Sequence, residues 1–211
     1  MLGLNKFTLP DDLFDKIVKK TNLDLEKKEL YRHHLAGNIQ GEYLMSAKFP
    51  EFEQYLIDCI KSHKWYETYL TEKHVGYLRT YEEDSYRLEL QLTNLWVNVM
   101  HKHEFNPIHS HSGLFSFIVF LQVPFIYEEM QKIAPGAGSN SPRAGQLCFL
   151  FPNWFKRVDE IVFQVDKTWE KKMLLFPAEL HHLVYPFYGT DEPRITVSGN
   201  LCFAKVDNPD L

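Results

Sequence analysis

Asn106-Pro107-Ile108-His109-Ser110-His111-Ser112-Gly113 runs directly into an apolar stretch, Leu114 to Val123. That junction decides the fold. An extended strand sends residues two apart to one face, so His109 and His111 point together and can grip one metal ion. Pro107 pins the backbone just before the pair, and the small Ser110, Ser112 and Gly113 leave room around an ion. Far downstream, Phe176-Pro177-Ala178-Glu179-Leu180-His181-His182-Leu183-Val184-Tyr185-Pro186 supplies a third histidine. Arg194-Ile195-Thr196-Val197-Ser198-Gly199-Asn200 supplies an arginine able to hold an anion. The rest of the chain reads as the scaffold for these three places.

Around the histidine pair the texture is that of strands. From about residue 86 the pattern has period two and is rich in β-branched and aromatic residues. Candidate strands are Arg87–Met100, Leu114–Val123, Gly145–Phe151, Glu160–Val165, Lys172–Phe176, His182–Tyr185 and Arg194–Ala204. Short strands separated by turn residues predict a double-sheet jelly roll. Pro135-Gly136-Ala137-Gly138-Ser139-Asn140-Ser141-Pro142 is a loop of turn formers, a candidate for a functional lid or a mobile connection.

Residues 1–80 instead read as helical. Pro10, Asp11 and Asp12 open a helix well, and Leu13, Phe14, Ile17 and Val18 keep helical spacing. A second helical run is expected over 24–35, with Leu25, Leu30, Tyr31 and His34. A third is expected from Pro50, with Phe52, Tyr55, Leu56, Cys59, Ile60, His63, Tyr66 and Leu70 three or four apart. Such stripes are normally buried faces, so these helices should buttress one sheet from outside. The fold class expected is therefore mainly β with N-terminal helices (α+β). Residues 1–85 form a helical support and 86–211 a β core, together one compact domain.

Bulk properties narrow the partners. The 211 residues carry a net charge of −5, with acids and bases intermixed, so no basic face advertises nucleic acid. Cys59, Cys148 and Cys202 are odd in number and widely spaced, which argues for a reducing, cytoplasmic setting and against a disulfide framework. Asp11 and Asp12 arrive before a signal-peptide core could form, and no apolar stretch approaches the roughly 18 residues of a membrane span. Oligomeric state stays open.

Ten histidines in the chain require selection among them, because imidazole is both a common ligand and a common core group. His33 and His34 are adjacent on a helical stretch and cannot easily share an ion. His101 and His103 have the right spacing but follow a strand end, and read as solvated or supporting groups. His181 and His182 point to opposite faces of their strand, so only one of them can join His109 and His111.

Asn98, then His109-Ser110-His111, then Phe176-Pro177 with Leu180, His182, Val184 and Pro186, then Arg194, Thr196, Ser198 and Asn200 together resemble the iron(II)/2-oxoglutarate-dependent oxygenases. The nearest branch is the prolyl-hydroxylase-like group of marine bacteria and their phages. Trp96-Val97-Asn98 and Leu35-Ala36-Gly37-Asn38-Ile39 are similar to members of that phage-borne set. The motifs cover about residues 94–203. The resemblance implies a double-stranded β-helix in which His109, His111 and His182 hold Fe(II). It further implies that Arg194 holds the far carboxylate of 2-oxoglutarate, assisted by Thr196, Ser198 and Asn98. It implies a dioxygenase that uses O2 to hydroxylate a C–H bond of a peptidyl residue, an amino acid or a small metabolite, while 2-oxoglutarate is decarboxylated to succinate.

The chemistry fits those residue types. A facial triad leaves three positions on Fe(II) for a bidentate keto acid and O2, and arginine offers a planar fork to a carboxylate. One departure stands out: the usual second ligand is a carboxylate, and here His111 takes its place. A shifted register, His111-Ser112-Gly113, would instead resemble an iron-dependent halogenase. Trp154, Phe155, Trp169 and Tyr185 are candidates for the pocket wall or for core packing. Two other readings remain open. One is a cupin-like three-histidine metalloprotein, either a dioxygenase without keto acid or an isomerase. The other is a non-catalytic β-sandwich binding module.

Overall fold

The computed structural model describes residues 3–63, 66, 68–69 and 86–207. Ten strands are present among them: β1 (Asn5–Thr8), β2 (Gly41–Met45), β3 (Tyr86–Met100), β4 (Asn106–His109), β5 (Phe115–Gln122), β6 (Leu147–Pro152), β7 (Val158–Phe163), β8 (Lys172–Pro177), β9 (His182–Val184) and β10 (Arg194–Asp207). They form a six-stranded sheet, ordered β1-β8-β5-β10-β3-β2, and a four-stranded sheet, ordered β4-β9-β6-β7. Every strand pairing is antiparallel. The result is the expected double-stranded β-helix, a mainly β fold with helices on one sheet.

Two apolar cores lie on opposite faces of the large sheet, and period-two alternation sorts residues between them. On β5, Phe115, Phe117 and Val119 join the outer core, while Ile118 and Phe120 join the inner one. On β8, Met173 and Leu175 go out, and Leu174 and Phe176 go in. A strand buried on both faces must be largely apolar, which explains the run from Leu114 to Val123, broken only by Ser116, which bonds to Asn200, and Gln122. The inner core is shared with the small sheet, where Phe149 meets Phe176 edge-to-face at 4.9 Å.

The outer core is closed by two helices, α1 (Asp11–Lys27) and α2 (Pro50–Lys61). Leu13, Phe14 and Ile17 of α1 and Phe52, Leu56 and Ile60 of α2 are buried there. Phe52 packs edge-to-face on Phe117 at 5.2 Å. The acids of the first turns and the lysines of the last suit the helix dipole.

The N-terminal region is less helical than its pattern suggests. Lys28 adopts a left-handed conformation, φ 52°, and its N–H bonds to the Leu25 carbonyl, which ends α1. The second helix expected over 24–35 is therefore absent beyond Lys27. Leu30 instead bridges to Tyr43, and Arg32–His34 is a single 3₁₀ turn. Two strands also arise in this region. β2 is five residues long and β1 four, too short for alternation to register against the helical stripes around them. Leu70 of the third expected helix lies outside the described residues. A helix that the pattern did not reveal, α3 (Tyr127–Ile133), precedes the Pro135–Pro142 loop.

Candidate metal centre

His109 ends β4, and His182, opposite it in register, begins β9. The strand stops at His109, so His111 stands in the turn that follows rather than on the same strand face. Its backbone N–H is held by the Ala178 carbonyl at 2.8 Å, and this contact turns the ring back toward the other two. One nitrogen from each of His109, His111 and His182 lies within 4.8 Å of the other two. Nε2 of His111 and Nε2 of His182 are 3.3 Å apart. Cis ligands on an octahedral ion, each about 2.1 Å from it, are about 3 Å apart, so this edge already has the size a metal requires.

The supporting contacts set the tautomers. Nδ1 of His109 is 2.8 Å from the Pro107 carbonyl and Nδ1 of His182 is 3.0 Å from the Leu180 carbonyl. A carbonyl only accepts, so both Nδ1 atoms carry protons and both Nε2 atoms present lone pairs. Phe149 stacks on His182 at 5.3 Å, and Trp96 lies 5.5 Å from His111. Burial holds all three imidazoles below the ordinary histidine range, His111 down to about 4 and His182 well below normal, with repulsion between the rings adding to the effect. They are neutral donors near pH 7, the form a metal ion binds.

The triad opens into a cavity between the sheets, whose wall includes Glu42, Asn98, Asn106, Arg194, Thr196 and Ser198. Glu42, Asn98 and Thr196 are register partners across β2, β3 and β10, so they form one polar row on the inner face. Arg194 begins β10 and is 5% exposed. Its one assigned side-chain hydrogen bond goes to the Met100 sulfur, and no carboxylate among the described residues lies within ion-pair distance. Burial alone lowers its guanidinium to about 10. An isolated buried cation costs several kcal/mol. Asn98 Nδ2 donates to Thr196 Oγ1 at 3.3 Å, which leaves the threonine O–H free to donate into the cavity.

Other candidates fall away from the site. His33, His101 and His103 are exposed and off the cavity wall, whereas the exposed His34 does line the cavity. Gly113 sits on a turn against Cys202 and the Leu201 carbonyl, and the triad contains His109, as the unshifted register requires. Trp154 and Phe155 are 97% and 83% exposed on the β6–β7 turn, Trp169 packs against Phe120 and Phe163 in the inner core, and Tyr185 does not reach the cavity wall. None of the four lines it, nor does the Pro135–Pro142 loop. Glu42 and Asn106 were not legible as site residues. Glu42 is an isolated polar residue in a short strand with no motif around it, and Asn106, though it opens the histidine stretch, takes no part in the spacing that marked the stretch.

The family model described as "Putative 2OG-Fe(II) oxygenase" matches residues 94–200. No curated protein matches this sequence. Among solved structures, an oxidoreductase of the 2OG-Fe(II) oxygenase family from Burkholderia pseudomallei aligns at 16% identity and a TM-score of 0.39, covering 55% of this chain and 46% of that one. This chain thus spans just under half the length of that relative. A prolyl-4-hydroxylase from Pseudomonas putida aligns at 13% identity and a TM-score of 0.49, covering 96% and 93%. A prolyl hydroxylase from Trichoplax adhaerens, solved with a hypoxia-inducible-factor peptide fragment, aligns at 14% and 0.46, covering 96% and 84%.

Proposed function

Because this chain belongs to the 2OG-Fe(II) oxygenase family, we propose that His109, His111 and His182 hold Fe(II) and that Arg194 holds the far carboxylate of 2-oxoglutarate. One observation carries the reading: three convergent neutral imidazoles share a cavity with a buried arginine that lacks a carboxylate partner among the described residues. The donor set fits the metal, since imidazole suits Fe(II) and a three-ligand face leaves positions for a bidentate keto acid and O2. With O2 and the keto acid, bound Fe(II) supplies the oxidising chemistry.

The protein's own part is binding, orientation and exclusion of water. Arg194 forms a paired contact to the carboxylate, and the Thr196 hydroxyl, oriented by Asn98, adds a donor, as does Ser198. The Pro107 and Leu180 carbonyls hold the His109 and His182 tautomers whose Nε2 lone pairs would face the ion. The inner core around Phe149 and Phe176 keeps bulk water from the triad's rear. The reaction is the hydroxylation of a C–H bond in a peptidyl residue, amino acid or small metabolite, coupled to formation of succinate and CO2.

A cupin-like metalloprotein without keto acid gives Arg194 nothing to bind, and a non-catalytic module gives the triad no role. Anaerobic addition of Fe(II) and then 2-oxoglutarate should produce a weak visible charge-transfer band, absent with succinate in place of the keto acid. Stoichiometric iron with no such band would turn the assignment to the cupin-like alternative, and failure to bind iron would end both.

A further inference from the structure

Glu42 is an acid with no evident structural reason to be where it is. It is 1% exposed, it faces the cavity, and its Oε2 has no hydrogen-bond partner among the described residues. No cation among them lies within ion-pair distance. Burial pushes its carboxyl up to about 7, with Arg32 pulling it down from a distance and Glu104 opposing that pull. Asn98 Oδ1 and Asn106 Oδ1, also on the cavity wall, are two further buried acceptors without donors. The Asn98 amide nitrogen is already committed to Thr196, so its oxygen is the end left for a ligand.

The segment over this acid is shaped to keep it clear. A Cβ added to Gly37 would overlap both Glu42 Oε1 and Asn106 Oδ1, so the glycine lets the carboxyl and the amide lie side by side beneath the backbone. That backbone is anchored: the Asn38 N–H bonds to the Phe105 carbonyl at 2.9 Å, and the Gln40 N–H to Glu104 at 3.0 Å. Leu35, Ala36 and Ile39 on this wall carry no side-chain donor, and His34 and Trp96 border it as well.

We propose that Glu42, with Asn106 and Asn98, is the receptor for a cationic nitrogen on the substrate, an ammonium or guanidinium group. This deepens the oxygenase reading and rests on it. Three clustered acceptors ask for a ligand rich in N–H, and an ammonium brings three donors, a guanidinium five. A net positive charge also ionises Glu42 and offsets its burial, and the Trp96 indole lines the same cavity. The cavity then sorts its two occupants by charge, the dianionic keto acid at Arg194 and the basic substrate at Glu42.

The test uses lysine and arginine against norleucine and citrulline, which lack the side-chain charge, each as the central residue of a capped tripeptide so that no α-ammonium is present. Binding is measured by calorimetry on the protein with and without Fe(II) and 2-oxoglutarate, and by shift of the anaerobic charge-transfer band. The cationic probes should bind at least tenfold more tightly than the neutral ones. Glu42→Gln, which keeps the shape, should remove that preference, and Gly37→Ala should weaken it by displacing the carboxyl. If no cationic probe outbinds its counterpart, or if the preference survives in Glu42→Gln, the proposal is overturned. Absence of the band alone counts against the iron and keto-acid assignment and leaves the calorimetric comparison to decide Glu42.

Discussion

At His111 the chain replaces a negatively charged ligand with a neutral one. If all three imidazoles bind, the ion keeps one more unit of positive charge than in a two-histidine, one-carboxylate site. His111→Ala should lower iron content at least tenfold, whereas His111→Asp should retain it, as metal analysis after desalting would report. At the other end of the cavity, Arg194→Lys keeps the charge and loses the fork. The dissociation constant for 2-oxoglutarate should rise about tenfold or more, equivalent to roughly 1.4 kcal/mol, with iron content unchanged; equal binding would remove Arg194 from the site. Acid should also act on the triad. His111 stays neutral when folded down to about 4, while an unfolded histidine titrates near 6.5. Between those values the unfolded chain holds the extra proton, so the metal-free protein should lose stability as pH falls from about 6.5 to 4, on the order of 3 kcal/mol. His182 is shifted in the same direction. Urea midpoints across that window, shallower in His111→Gln, would check it. The spacing singled out His109 and His111, although His111 meets its partner from the turn after β4 rather than from a shared strand face, and the motif singled out Arg194 as a candidate. Glu42 could not be read this way, since what distinguishes it is the absence of a partner, a property of the folded cavity.

Among the elements, the long strands of the β region were legible and the short ones were not. β5, β8 and β10 announce themselves because each has two buried faces or a strict alternation that no helix would tolerate. β1 and β2 are specified by the strands they pair with, β8 and β3, and carry little pattern of their own. Helices α1 and α2 were read correctly from their stripes, and the reason lies in what those stripes touch. Phe52 is fully buried against Phe117, so the outer core depends on it. Phe52→Ala should cost about 3–5 kcal/mol, seen as a lower denaturation midpoint. Because His109 and His182 are carried by β4 and β9 of the small sheet, away from the outer core, iron affinity measured well below that midpoint should change little.

For the whole molecule, we propose that the N-terminal region and the β core form one cooperative domain. β1 and β2 occupy the two edges of the large sheet, and β2 brings Glu42 to the cavity. A chain starting at residue 86 should fail to give a soluble folded protein, whereas the full chain should unfold in a single transition by two independent probes; a soluble, iron-binding truncation would show two separable units. The same edge arrangement has a consequence in time. Asn5 lies opposite Leu175, so β1 cannot find its partner until most of the chain has left the ribosome. Bringing such distant segments together carries a loop-closure penalty before any contact forms. During synthesis the apolar faces of α1 and α2 must wait without the sheet that later covers them. Its yield in a cell should therefore depend on translation speed and temperature more steeply than the finished protein's stability would suggest.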